Sequence, residues 1–540
     1  MGTVRVVNMI PASLSGESHQ DSEANLAVNP SHPSDMVGTA FTPAPMGGSN
    51  APIYVSTDGG NTWALRTVVP GNDPLVGTRD ITVGFGVSSG ILYAGILSGA
   101  TSRMQILRTP SFASTTPMTV LVDRGSEDQP WVVSGSVVAA PTPQDRVWVG
   151  NEDGNQPGGM TATVDFSPDA GTAPAPAGFN AIQLERRSTV LIPQIGRGKD
   201  GPPIRVAWHP DGTVYAAFHR WGGGSFPDLL VDITVTRDDS FGGSATPFAA
   251  LTDPSDGLAG RLVATNRFMR FNAQMGQERL GGDLSIALDP NNSSAVWVAW
   301  CDRVGGAAGT DWTLHVRRST DKGQTWSADV RTVTNAKNPA LAVNSSGVLG
   351  LCFQAFTGSQ WVTTLELTSD SWGSPAEIHV LHQAPSNTPA RQFLPYIGDY
   401  IRMLAVERDF YGVFCGNNAP DMANFPSGVR YQRAADFANR RLLSTDGVTA
   451  VPISIDPFFF RWSEISIPPI SRGPIARGPI ERGPIERGPI ERGPIERGPI
   501  ERGPIVPEPR GPQPRGPDPI GPVEGEARRE SDEPPADLDL

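Results

Sequence analysis

Short runs of alternating apolar and polar residues, separated by clusters of Gly, Pro, Asn, Asp and Ser, fill residues 1 to about 460. A period of two sends successive side chains to opposite faces of an extended strand, so the pattern predicts an all-β protein. The runs VRVVNMI, RDITVGFG, ILYAGIL, DRVWVGN, VDITVTR, AVWVAWCD, TLHVRRS and RDFYGVFC are typical. No amphipathic helix longer than about two turns is expected; DMANFPSGV and ADFANRRLL come nearest to one.

One strand recurs. Its form, an apolar residue, Ala, an apolar residue, a short polar residue and Pro, is read at 25–30 (NLAVNP), 205–210 (RVAWHP) and 285–290 (SIALDP), with ALAVN at 340–344 as a proline-less copy. Each copy precedes two further strands and a polar turn: STDGGNTW (56–63), TRDDSFG (236–242), STDKGQTW (319–326) and TSDSWG (368–373). The distance from the first strand to the turn Asp is 30 residues (Val28 to Asp58), 30 (Trp208 to Asp238), 33 (Leu288 to Asp321) and 27 (Val343 to Asp370). A unit this small cannot bury both faces of its own sheet and must stack on its neighbours, with radial closure removing the edges. Two more units fit between the first and third anchors, through RDITVGFG and DQPWVVSG, and a last one begins at FLPYIGDYIRML, giving a spacing of about 62 residues. The expected fold is a seven-bladed β-propeller, six-bladed if one degenerate unit is an insertion, with VRVVNMI completing the last blade.

The final stretch is a different material. It holds 18 of the 52 prolines, and Arg-Gly-Pro-Ile repeats seven times from Arg472 to Ile505, with Glu at five of the spacers. Pro and Gly in every five residues oppose helix and sheet ladders alike, so this segment reads as extended and solvated. The expected organisation is a propeller over 1–466, a disordered repeat over 467–505 and an acidic, Pro-rich, disordered tail over 506–540. The tail serves as a spacer or as a docking segment for a protein partner.

Charge narrows the partners. With 43 basic and 56 acidic residues the formal net charge is −13, which repels phosphate backbones, so no nucleic-acid partner is expected. Three cysteines (Cys301, Cys352, Cys415) are too few and too scattered for a disulfide framework or a zinc site. No run approaches a membrane span and no conventional signal peptide opens the chain. A soluble protein is expected, its compartment unassigned. No cofactor and no metal is expected either: His209, His219 and His315 read as exposed or hydrogen-bonded residues at strand ends of separate blades.

Ser-x-Asp-x-Gly-x-Thr-Trp is present in full twice, as Ser56, Asp58, Gly60, Thr62, Trp63 and as Ser319, Asp321, Gly323, Thr325, Trp326. The Asp accepts backbone N–H groups of a tight turn, the Gly takes positive φ, and the Trp packs between blades. The pattern resembles the Asp-box (BNR) repeat of sialidase-like β-propellers, a resemblance that covers residues 20 to 435. It implies a structural role for these residues, a glycan or protein ligand on the central face, and an extracellular setting.

The segment WCDRVGGAAGTDWTLHVRRSTDKGQTW (300–326) is similar to a sialidase blade, and the likeness implies Arg303 as a carboxylate-binding cation and Asp311 as general acid/base. In PYIGDYIRMLAVERDF (395–410), Tyr396, Asp399, Tyr400 and Glu407 are candidates for a central mouth, with Asp399 and Tyr400 the catalytic candidates. Arg79, Arg205, Arg303, Arg318 and Arg402 are candidates for a cationic clamp. The family's Phe/Tyr-Arg-Ile-Pro motif is absent, and GGDLSIALDP stands in its place. The chain therefore resembles sialidase-like proteins without a complete catalytic set more than sialidases proper. A binding propeller is the first expectation and an exo-acting glycoside hydrolase of sialidase type the second.

Overall fold

The computed structural model describes residues 2–41, 52–67, 78–98, 103–136, 144–157, 161–172, 178–187, 204–225, 228–270, 284–303, 312–393 and 396–464. The expected repeat and tail, and Asp311, lie outside the described residues.

Strand β1 (Gly2–Asn8) comes first, and sheets then follow one another along the chain. They are β2–β5 (Ser22–Val28, Met36–Phe41, Pro52–Ser56, Ala64–Thr67), β6–β9 (Thr78–Phe85, Leu92–Ser98, Arg103–Thr109, Thr119–Gly125) and β10–β13 (Glu127–Ser136, Asp145–Asp153, Thr161–Ser167, Asn180–Gln183). Next come β14–β17 (Ile204–Trp208, Val214–Ser225, Asp228–Asp238, Arg261–Arg270), β18–β21 (Leu284–Asp289, Asn292–Arg303, Trp312–Ser319, Arg331–Thr334) and β22–β25 (Ala336–Val343, Leu349–Phe356, Gln360–Thr368, Glu377–Pro385). The last strands are β26 (Arg402–Val406), β27 (Asp409–Asn417), a small sheet of β28–β30 (Ala435–Asp436, Arg441–Leu443, Ala450–Val451), and β31 (Ile455–Glu464). Among the described residues the four-stranded sheets from β2 to β25 are simple antiparallel meanders, whereas the last has the order β1-β31-β27-β26, so the N-terminal strand completes the sheet that the C-terminal part begins.

The first strands touch in sequence, β2 on β6, β6 on β10, and onward through β14, β18 and β22 to β26, which returns to β2. This closed succession of four-stranded antiparallel sheets is the arrangement of a β-propeller, in which the inner strands pack on one another and each sheet keeps its outer edge. All four copies of the Ala-centred motif fall on these first strands. Their alanines Ala27, Ala287 and Ala342 are buried, and Ala207 packs on the core.

The core lies between sheets. Tyr215 and Val235 of one sheet share a cluster with Trp297 and Val316 of the next and with Leu341 and Phe353 of the third. No helix among the described residues is long and apolar enough to cross a membrane. Of the two nearest approaches to helix, Met422–Asn424 is one 3-10 turn, begun by the Asp421 carboxylate accepting from the Ala423 N–H at 2.9 Å, and ADFANRRLL supplies strands β28 and β29.

The two full Ser-x-Asp-x-Gly-x-Thr-Trp turns close identically, after third strands β4 and β20. Ser56 Oγ accepts from Gly60 N at 2.9 Å and Asp58 Oδ1 accepts from Thr62 N at 2.9 Å; Ser319 with Gly323 and Asp321 with Thr325 repeat both distances. Gly60 has φ +79°, and a Cβ there would stand 2.3 Å from the Phe459 ring, so two constraints select glycine. At the turn after β16 the residue alignment differs from expectation. Gly242 N donates to Asp238 Oδ1 at 2.7 Å, so Asp238 occupies the serine position of the motif, not the aspartate position. A carboxylate there accepts the same N–H that a hydroxyl accepts elsewhere.

Candidate functional site

Each first strand starts on one face of the ring and ends on the other, and the Asp-bearing turns lie beyond the far ends of the third strands. The opposite face, where first strands start, collects a polar cluster from several sheets. Lateral bonds hold these strands in place: Val83 N donates to Asn25 Oδ1 at 3.1 Å, Val132 N to Thr82 Oγ1 at 3.0 Å, and Leu341 N to Ser285 Oγ at 2.9 Å.

The segment before β26 is pinned just as tightly. Gly398 has φ +90° and approaches Glu23 so closely that a Cβ would lie 2.3 Å from its backbone nitrogen. Its carbonyl accepts from Asn338 Nδ2 at 2.9 Å, which ties the turn to β22. Tyr400 therefore enters the centre in a fixed direction. Its hydroxyl donates to Asp80 Oδ1 at 3.1 Å, and its ring meets Trp131 edge-on with centroids 5.6 Å apart. The Arg205 guanidinium lies 3.7 Å from the Trp131 ring centre and that of Arg402 lies 4.5 Å from it, distances of effective cation–π contact. Trp131, Arg205, Ser285, Pro339, Arg402 and Met403 line a cavity of about 80 Å³. That volume admits a few waters or one small polar group, and falls below the roughly 300 to 1,000 Å³ of a typical small-ligand pocket.

Burial, reinforced by the charges of Asp80, Glu23 and Asp399, pushes the Tyr400 phenol well above its ordinary pKa. The group is a neutral hydrogen-bond donor, 2% exposed, and not an activated phenolate. Asp80 and Trp131 had no motif to mark them in the sequence. They lie within first strands β6 and β10, and a place on a strand carries no information on which side chains meet across the ring.

The other candidates separate. Asp399 sits beside Tyr400 and contributes to its pKa. Tyr396 turns elsewhere, donating to the Pro389 carbonyl at 2.8 Å. Glu407 does not reach the central mouth: β26 runs away from Tyr400, and Glu407 is exposed in the turn at its far end with φ +54°. Arg318 also leaves the proposed clamp, because it precedes Ser319 at the opposite end of the sheet and lies 5.1 Å from the Trp297 ring. The Arg79 side chain and Asp311 are outside the described residues. Arg303 ends β19 opposite Trp312 and is 6% exposed, and its Nε and Nη1 have no hydrogen-bond partner among the described residues.

The histidines differ from the expected placement in separate blades, since His209 and His219 belong to one sheet. His209 Nε2 bonds the Pro290 carbonyl at 3.1 Å. His219 is 1% exposed with neither ring nitrogen partnered among the described residues. Burial first, and then the Arg205 charge, lower its pKa to about 3, so it is neutral. His315 stacks on Trp300 and bridges Asp302 and Asp329. All three cysteines are buried.

No family model matches the chain, and no curated protein matches it. Among solved structures, it is similar to a PL25 ulvan lyase bound to a glucuronate and sulfated rhamnose fragment, at 8% identity and a TM-score of 0.46 over 74% of this chain and 92% of that one. It is also similar to the GH93 α-L-arabinofuranosidase of Fusarium graminearum (12% identity, TM-score 0.38, 84% and 97% covered). A Hadza microbial sialidase is a third (12% identity, TM-score 0.36, 75% and 64% covered).

Proposed function

We propose that this chain is a seven-bladed, sialidase-like Asp-box propeller that binds an anionic glycan over the face where Tyr400 and Arg402 lie, with degenerate catalysis or none. The observation that carries this reading is the pair of guanidiniums, Arg205 and Arg402, held against Trp131 at a cavity of about 80 Å³. An arginine fork is suited to a sugar carboxylate, and a cavity of that size takes the carboxylate while the ring stays outside. Isothermal titration with sialyl and uronate oligosaccharides tests it. Binding of acidic but not neutral glycans is expected, and Arg402→Ala should weaken it about tenfold or more, the effect of losing one charge-assisted hydrogen bond. Equal binding of neutral glycans would overturn the reading, and binding of a protein alone would replace it with a scaffold.

One observation favours the second reading, an exo-acting hydrolase: the Tyr400 hydroxyl bonded to the Asp80 carboxylate has the composition of a tyrosine nucleophile with its acidic partner. Against it, Tyr400 is sealed behind Trp131 and held neutral. A fluorogenic sialoside should therefore be released at no more than a trace rate. Brisk release abolished by Tyr400→Phe in a folded protein would establish the hydrolase.

A further inference from the structure

The seam where the last sheet meets the first holds a second constellation, built from parts of the chain remote in sequence. Asp456 opens β31, and Glu17 and Asp21 lie in the segment that leads from β1 into β2. All three are buried, at 0%, 4% and 2% exposure, and one carboxylate oxygen of each lies within 4.8 Å of the others. Buried carboxylates this close repel one another unless something neutralises them.

The partners present neutralise only one of the three. Asp456 is saturated: Oδ1 accepts from Asn418 Nδ2 at 2.7 Å and Ser454 Oγ at 2.8 Å, and Oδ2 accepts from Asn8 Nδ2 at 2.7 Å and from the Arg433 guanidinium. Arg433 spends another N–H on the Glu17 carbonyl at 2.9 Å, not on its carboxylate. Glu17 Oε1 accepts from His19 N at 2.5 Å. Glu17 Oε2 and Asp21 Oδ2 are buried with no hydrogen-bond partner among the described residues. Three carboxyl groups thus share one guanidinium, and two of their oxygens have no partner among the described residues.

We propose that Glu17 and Asp21, through the unpartnered oxygens that lie beside Asp456, bind a hard divalent cation of the calcium type that locks the closure of the ring. The donors are all carboxylate oxygens, with no His or Cys among the three, which selects calcium or magnesium over zinc or copper. Calcium is the better fit because it accepts irregular, partly bidentate carboxylate shells with water completing them. One ion there would hold the segment entering β2 beside Asp456 at the start of β31, which its own hydrogen bond to Asn8 ties to the end of β1. The sequence reading expected no metal, because ligands that meet only after ring closure show no short ligand spacing.

The full chain, stripped with chelator and dialysed, should show a saturable rise of several degrees in thermal midpoint on adding calcium chloride. Terbium, a calcium-sized probe, should give luminescence on excitation of tyrosine, since Tyr54 feels the charges of all three acids. Asp21→Asn and Glu17→Gln keep the shape while removing repulsion, so both should fold, with metal-free midpoints at or above that of the stripped parent. Both should lose the calcium response and the terbium signal. A parent with neither response would overturn the proposal and leave a proton shared between carboxyl groups as the neutralising species; a calcium response that survives both substitutions would place the ion elsewhere and overturn it equally.

Discussion

At the scale of the residue, the turn motif divides its work between a buried and a wet partner. Ser319 is 1% exposed and accepts the buried Gly323 N–H, whereas the Asp321 carboxylate serves Thr325 at the surface. Removing an acceptor from a buried donor costs its full desolvation, while water replaces a surface acceptor. Ser319→Ala should therefore cost about 1 to 3 kcal/mol and Asp321→Ala about 1 kcal/mol, measured by urea unfolding, with the proposed glycan binding unchanged in both. The opposite ranking would mean that the carboxylate and not the hydroxyl holds the turn.

A second residue-scale expectation concerns the ion network of β17, β19 and β20. Asp302 is pulled upward by burial, yet the hydrogen bonds and charges of His315 and Arg267 hold it below the ordinary carboxylate range. Burial works against charge on His315 too, but Asp302 and Asp329 raise it above an ordinary imidazole. The signs then follow by linkage. The His315 contribution is complete below the unfolded value of about 6.5 and fades as pH rises through the raised folded value. The Asp302 contribution is complete above the unfolded carboxylate value and fades as pH falls through the depressed folded one. Thermal midpoints of the parent should thus decline on the alkaline side of about pH 6.5, and His315→Gln should flatten that decline. Parallel profiles for the two proteins would contradict the network.

At the scale of the element, closure depends on β1. It pairs with β31 from Gly2↔Glu464 to Asn8↔Phe458, and Val6, Val7, Met9 and Ile10 are buried by the docking. Deleting residues 1–10 would expose the edge of β31 and its run Phe458–Phe460, an open apolar strand of the kind that pairs with other chains. The expected result is aggregation or a loss of many degrees in midpoint, read by light scattering during thermal unfolding. A truncated chain that stays monomeric with an unchanged midpoint would show that β1 is dispensable to the ring.

At the scale of the whole molecule, the sequence of residues 466–540 carries no apolar periodicity that a core could use, so their deletion should leave the thermal midpoint of the remainder within about 1 °C. A larger fall would show that the repeat packs on the ring. The strand pattern, the recurrence of the Ala-centred strand and the position of the polar turns were legible in the chain, because backbone pairing and turn chemistry act over a few residues and leave a local signature. VRVVNMI could be assigned to the last sheet for a similar reason: an orphan strand needs an edge. The misreadings have two causes. Asp238 was aligned with the wrong member of its turn because Ser and Asp can each accept the same N–H, and Glu407 and Arg318 were drawn toward the centre because sequence gives a residue's place on a strand without the face of the ring that the strand end reaches. The Tyr400–Asp80 bond, the guanidiniums on Trp131 and the carboxylates of Glu17, Asp21 and Asp456 join residues from different sheets or from opposite ends of the chain. Sequence by itself determined the repeated unit and hence the need to close. Tertiary structure alone decided which side chains meet once it is closed, since those contacts are set by the packing angle and stagger between sheets and not by any spacing along the chain.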